Sequence, residues 1–325
     1  MRPIWNKRNR ILVLLAIFFG IGAYHYSASA GPSNGFDVSN AIIPANEILA
    51  GGPPKDGIPA LSNPDLIDAG AAPFLKPDDR IIGVSLDGVS RAYPIAILNW
   101  HEIVNDQIND QHYAVTYCPL CGTGVAFYSD IAGKVTDFGV SGLLYNNDVL
   151  LYDRETESLW SQIMGQAVAG KLVGEKLKAL PVSHTSWRSW LEKHPNTMVL
   201  STDTGYSRDY GRNPYQGYDK SRQLYFGVNN RAPETYHPKE QVVGVEFDGV
   251  FKAYPFAELE KNNKARFQDN VNGVDITISW DSENQSVTLS DVNGTEIAGI
   301  QGFWLPGLHS IQIRWFLRAA SPHIG

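Results

Sequence analysis

Cysteine is almost absent: 325 residues carry only Cys118 and Cys121. That excludes a disulfide-dense secreted scaffold. Charge is sparse as well, at 19% of residues against 43% apolar, so the chain is not disordered and has material for a sizeable core. Basic residues are short relative to acidic ones, 27 Lys and Arg against 34 Asp and Glu, a net charge of −7. Four of the basic residues, Arg2, Lys7, Arg8 and Arg10, stand in the first thirty positions, which hold no acid. Without them the balance is 23 against 34, or −11. An acidic body lacking any basic run argues against nucleic acid and against an anionic membrane surface as partners. No second hydrophobic span follows the N-terminal one.

That first span runs from Ile11 to Ala23, about 20 Å as a helix and short of the roughly 20 residues that cross a bilayer. Ala28-Ser29-Ala30 supplies a small-x-small pattern after it. Residues 1–30 therefore read as a cleaved secretory signal. The alternative is an uncleaved anchor, with Tyr24 and Tyr26 stretching the apolar run and residues 11–24 tethering the chain to a membrane. Both place residues 31–325 outside the cytoplasm, which in a bacterium means the periplasm or the outer cell face. Nothing in the sequence names a protein partner.

The body contains an echo. GVSLDGVSRAYP (83–94) returns as GVEFDGVFKAYP (244–255), at an offset of 161. Each copy reads as strand, Asp-Gly turn and strand. A short helix should follow from each proline, Pro94 to about Ile103 and Pro255 to about Asn262. A second hairpin then follows, at 104–117 and at 267–280. The fold class expected is α+β, predominantly β: two pseudo-repeated lobes of hairpins and short helices sharing one core. The repeat units cover about 80–120 and 241–281 of a single domain. Between them, 149–170 reads as strand, turn and strand. Residues 186–195 read as a helix capped by Thr185, and 203–225 as a long tyrosine-rich loop.

The copies part at one place. Tyr117 is followed by Cys118-Pro119-Leu120-Cys121-Gly122, whereas the matching Trp280 is followed by Asp281-Ser282-Glu283-Asn284. Closing so short a loop with a disulfide gains only about 2 kcal/mol, so stability alone is a poor reason for the pair. A thioredoxin-like dithiol would open a helix, which Gly122 and Gly124 oppose. Cys-Pro-x-Cys-Gly between two strands resembles half of a zinc ribbon, and two thiolates suit Cu(I). A soft-metal site is the leading reading, copper ahead of zinc, with Cys118 and Cys121 as ligands and His101 as a possible third. A periplasmic thiol–disulfide oxidoreductase is the enzyme alternative. A thiol nucleophile activated by a histidine is a lesser one. His112, His184, His237, His309 and Met164 are weaker ligand candidates. Asp148, Asp153, Glu155 and Glu157, near Arg154 and Trp160, form a rival set for acid–base work on a glycan, with tyrosines of 206–225 as stacking groups for a glycan- or peptide-binding module.

Four stretches carry a resemblance. AYPIAILNWHEIVND (92–106), AVTYCPLCGTGVAF (114–127), VSGLLYNNDVLLYDRETESLWSQ (140–162) and WRSWLEKHPNTMVLS (187–201) resemble the bacterial family called domain of unknown function 3179, in the family's order. The likeness spans roughly residues 40–305. It implies an exported or lipid-anchored bacterial protein and brings no reaction with it. It also implies that the cysteine turn, the Trp-His-Glu helix and the Tyr-Asp-Arg…Ser-Leu-Trp-Ser-Gln run share one face. That points to His101, Cys118, Cys121, Asp153, Arg154, Trp160 and Gln162, with Asp153 and Arg154 in supporting roles; Glu102, next to His101, is a further pocket candidate. The tail after Gly302-Phe303-Trp304 departs from the family's aromatic-rich ending.

Overall fold

A computed structural model of the chain describes residues 33–228 and 233–304. The expected signal or anchor (1–30) and the atypical tail (305–325) lie outside the described residues. Among the described residues no helix is long and apolar enough to cross a membrane.

The fold is α+β and mostly strand, with three short α-helices among the described residues. Local chemistry explains the recurring parts. Arg80–Leu86 pairs with Val89–Pro94, and Gln241–Phe247 pairs with Val250–Pro255. Both turns are Asp-Gly with two positive φ angles, 52° and 77° at Asp87-Gly88 and 49° and 79° at Asp248-Gly249. This is the tight turn whose twist matches the strands it joins. Pro94 and Pro255, at φ −63° and −65°, lead into the helices Ile95–His101 and Phe256–Asn262. The first helix stops two residues before the expected Ile103, because Glu102 turns into the left-handed region at φ 59°. Each helix leads into a three-stranded meander. One is Ile103–Ile108, Gln111–Cys118 and Thr123–Tyr128; the other is Arg266–Val271, Val274–Asp281 and Ser286–Ser290. An interior contact recurs too. The Tyr93 hydroxyl donates to Asp106 at 2.7 Å beside the Arg91–Asp106 ion pair. Tyr254 donates to Asp269 at 2.9 Å beside the Lys252–Asp269 pair.

These units do not close as two separate lobes. The first hairpin sits in a five-stranded sheet with Ser183–Ser186, Met198–Leu200 and Leu66–Asp68. The first meander and the second hairpin share an eight-stranded sheet, joined through the strand Ile300–Phe303. The second meander forms its own three-stranded sheet. The 149–170 region holds three strands where strand, turn, strand was expected: Asp148–Asp153, Leu159–Ser161 and Gln166–Ala169, in another five-stranded sheet with Ile48–Ala50 and Phe138–Tyr145. The expected 186–195 helix is Trp187–Lys193, and its cap is Ser186 rather than Thr185. The Ser186 hydroxyl accepts from the Ser189 amide at 3.2 Å, and Thr185 lies one residue further back in the strand that Ser186 ends. Residues 203–226 form turns without helix or strand.

The core that matters for the site lies between the first meander and the 138–169 sheet. Ile103, Ala114, Cys118 and Cys121 pack against Phe138, Val140, Val149, Leu151 and Trp160. Tyr218 completes this cluster, with Tyr215, Leu224 and Phe226 partly buried over it.

Candidate thiol–carboxylate site

Two tight turns meet tip to tip inside this core. The first is the cysteine turn, where the Cys121 amide donates to the Cys118 carbonyl at 3.2 Å. Gly122 then takes φ +60°, which its lack of a Cβ permits; an added Cβ would also press on the Phe303 ring at 3.1 Å. Gly124 is needed for a different reason, since a Cβ there would fall 2.5 Å from His184 Nε2. The second turn is Asn146-Asn147, linking Phe138–Tyr145 to Asp148–Asp153 with φ of 50° and 68°. Asparagine tolerates this left-handed backbone better than most residues. Hairpin tips are ordinarily exposed. Here Asn147 is fully buried and Asp148 nearly so.

The docking brings together three groups. The Cys118 and Cys121 sulfurs and a carboxylate oxygen of Asp148 all lie within 4.8 Å of one another, and all three residues are buried. The Cys121 thiol donates to the Asn147 carbonyl at 3.0 Å, and Cys118 approaches the same oxygen at 3.8 Å. The Asn147 amide donates to the Leu120 carbonyl at 3.3 Å, clasping the cysteine turn from within. The Ile163 amide donates to Asp148 Oδ2 at 3.2 Å. Asp148 Oδ1 and Asn147 Oδ1 are buried with no hydrogen-bond partner among the described residues. Leaving such acceptors unpaired is costly, and the Tyr218 hydroxyl, also buried and unpaired, is a donor in the same cluster.

Electrostatics follow from burial. Desolvation pushes the Asp148 carboxyl up to about 7, against the pull of the Ile163 amide and the thiols. Burial pushes the Cys121 thiol up, and Cys118 and Asp148 add to the effect. Glu102 rises to about 8, through burial and then the charge of Asp148. The Tyr215 phenol is raised by burial, then by Glu102 and Cys118. Without a counter-ion burial favours the protonated forms of Asp148, Cys121 and Glu102.

The residues expected at one site divide. Cys118, Cys121 and Trp160 share a core cluster. Glu102 lies beside them, its carbonyl accepting from the Tyr117 amide at 2.7 Å, one residue before Cys118. Gln162 braces the base of the cysteine hairpin, donating to the Thr116 hydroxyl at 2.8 Å and the Thr123 carbonyl at 3.3 Å. His101 does not join the sulfurs. Its Nδ1 donates to the Pro59 carbonyl at 2.7 Å, leaving Nε2 to accept from the Tyr210 hydroxyl at 2.6 Å. Both ring nitrogens are used, and burial lowers the pKa of the ring. Asp148 stands where a third ligand was expected from His101.

Asp153 and Arg154 make their bonds away from the sulfurs. Asp153 accepts from Trp160 Nε1 at 3.0 Å, the Thr156 amide at 2.6 Å and the Thr156 hydroxyl at 2.8 Å, which orders the turn after its strand. Arg154 pairs with Asp56 at 3.0 Å. Glu157 pairs with Lys55 at the surface. Asp148 and Asp153 sit at opposite ends of one strand, about 17 Å apart at the usual rise, so the rival carboxylate set is not assembled. Sequence reasoning placed Asp148 in that set and missed Asn147. The signal available was Tyr-Asn-Asn-Asp between two apolar strands, a tight turn with an acid at its foot.

No curated protein matches this chain, and no solved structure does. A family model, by contrast, matches residues 55–312, most of the chain and all four of the motif stretches. The chain belongs to the family described as Protein of unknown function (DUF3179).

Proposed function

We propose that the protein binds a metal ion through Cys118, Cys121 and Asp148. The observation that carries this reading is the convergence of two sulfurs and one carboxylate oxygen within 4.8 Å in a buried core. Two thiolates and a carboxylate suit Zn²⁺, which takes sulfur and oxygen donors tetrahedrally and leaves a fourth position for water or another ligand. The sequence alone put copper first; the carboxylate moves zinc ahead, because Cu(I) prefers purely soft donors. The unpartnered Asp148 Oδ1 supports a cation there. Binding would displace the protons that burial holds on the cluster. Residues 1–30 as an export signal, and a periplasmic or outer-face location, belong to the same proposal.

The experiment is metal analysis and thiol counting on protein purified anaerobically after growth with zinc and copper. About one equivalent of metal, with thiols titratable only after chelation, is the expected result. Equal metal content in wild type and in the Cys118→Ser/Cys121→Ser double variant would overturn the proposal.

One observation favours a second reading. Asp148, with a carboxyl near 7, is placed to take a proton from a neighbouring thiol, as thiol–disulfide exchange requires. Burial of both sulfurs opposes it, since an exchanging thiol must be reached by its partner. A metal-free protein whose cysteine pair is oxidised and readily reduced would favour that reading.

A further inference from the structure

Beside the cluster lies a cavity of about 450 Å³, walled by Ile58, Leu120, Val140, Leu144, Val149 and Phe226 and lined also by Glu102. We infer that this cavity binds a neutral, largely apolar small molecule carrying one hydroxyl or carbonyl, recognised by a hydrogen bond to Glu102. The volume falls within the roughly 300–1,000 Å³ of small-molecule sites, which combine apolar walls with a few placed polar groups.

Three features of Glu102 point to a ligand. Among the described residues its carboxyl has no hydrogen-bond or ion-pair partner, although the residue is only 7% exposed. Its oxygens are not among the sealed, unpaired polar atoms, so they keep a path to water along the cavity, and a ligand hydroxyl or carbonyl would take that water's place. Second, its backbone sits at φ 59°, ψ −32°, a region that long side chains avoid. Third, the equivalent position in the second copy, 161 residues on, is Asn263, at φ 50°, ψ 31°. Asparagine or glycine ends a helix in this way with little strain. Glutamate breaks the local rule at the one copy that faces a cavity and the cysteine turn, and broken local rules mark functional positions.

The chemistry of the ligand follows from the walls. Among the described residues Glu102 is the only Asp, Glu, Lys, Arg or His that lines the cavity, with Tyr215, Gln223 and Tyr225 as its uncharged polar neighbours. A carboxylate or phosphate ligand would meet an acid there and no base. A hydroxyl or carbonyl pairs with a carboxyl of either protonation state, as acceptor or as donor. The contact reaches the centre on both sides, because Leu120 lies between the two cysteines and Val149 follows Asp148. The inference stands without the metal reading, and the test separates the two.

The full chain is titrated with the neutral dye Nile red, then with 1-octanol or octanoate as competitors. One equivalent of dye is expected, displaced by 1-octanol and at least about tenfold less well by octanoate. Leu144→Trp, which fills the cavity, loses the dye. Ile58→Trp, at the partly buried wall, loses it as well and guards against a Leu144 variant that does not fold. Glu102→Leu keeps the dye but weakens 1-octanol about tenfold, the worth of one buried hydrogen bond. The Cys118→Ser/Cys121→Ser variant keeps the dye, so loss of metal does not imitate loss of this site. Absence of stoichiometric dye binding overturns the inference. So does wild-type binding in both tryptophan variants, equal displacement by octanol and octanoate, or an unchanged octanol affinity in Glu102→Leu.

Discussion

Asp148 is the residue on which the reading of the site turns. If it is a ligand, Asp148→Asn should lower zinc affinity at least about tenfold while the fold persists, because an amide is a weaker and uncharged donor. Competition with a chromophoric chelator measures this. Wild-type affinity should also climb as pH rises through about 7, since the carboxyl and the thiols must give up protons to bind. Glu102 supplies a second expectation, for the metal-free protein. Its carboxyl holds a proton up to about 8 when folded, against about 4.5 ordinarily. The folded state therefore binds more protons between those values, and stability falls as pH rises through them. Glu102→Gln should flatten that fall, as urea midpoints at pH 5 and pH 8 would show. At this scale the two cysteines were legible, because a Cys-x-x-Cys turn is local. Their carboxylate partner was not. That Asn146-Asn147 docks on residues 118–121 is a tertiary fact that no spacing encodes, and His101, closer in sequence, was drawn away by Pro59 and Tyr210.

Among the elements, the two meeting turns carry separable duties. Asn147 provides both a left-handed backbone and an amide that clasps Leu120. Asn147→Gly keeps the first and removes the second. It should change stability by no more than about 1 kcal/mol, the worth of a typical hydrogen bond, yet weaken metal retention by loosening the cysteine turn. Gly124→Ala is the harsher change. Its methyl would meet His184 and Ile82 at 2.5–2.6 Å, and overpacking of this kind costs about 1–3 kcal/mol. Thermal unfolding of the two variants should rank them in that order. The hairpins and short helices were readable because Asp-Gly turns and leading prolines act over a few residues. The strand partners were not, since pairing of Thr123–Tyr128 with Ile300–Phe303 depends on contacts far apart in the chain. The N-cap lies one residue later than expected because Ser186, the last paired residue of its strand, is the one whose hydroxyl reaches the Ser189 amide.

At the scale of the whole molecule, Ile300–Phe303 holds the first meander and the second hairpin in one sheet. Unfolding should thus be a single cooperative transition, seen as coincident tryptophan fluorescence and circular dichroism curves; two separated transitions would mean two independent lobes. His184 couples this framework to acid. Burial, then Arg80, lowers its pKa to about 3 from an ordinary 6.5, so the unfolded chain takes up a proton that the folded one refuses. Stability should drop as pH falls from about 6.5 toward 3, opposite in sign to the effect of Glu102. The segment covering the cysteines has one more consequence, which concerns time. Tyr218 closes the cluster but follows Cys121 by nearly a hundred residues. At about 5–20 residues per second, roughly 5–20 s of synthesis separate the making of the thiols from the arrival of their cover. If the cluster holds an ion, that ion can meet the sulfurs before Tyr218 covers them, and which ion is enclosed would reflect the order of biogenesis as well as equilibrium affinity.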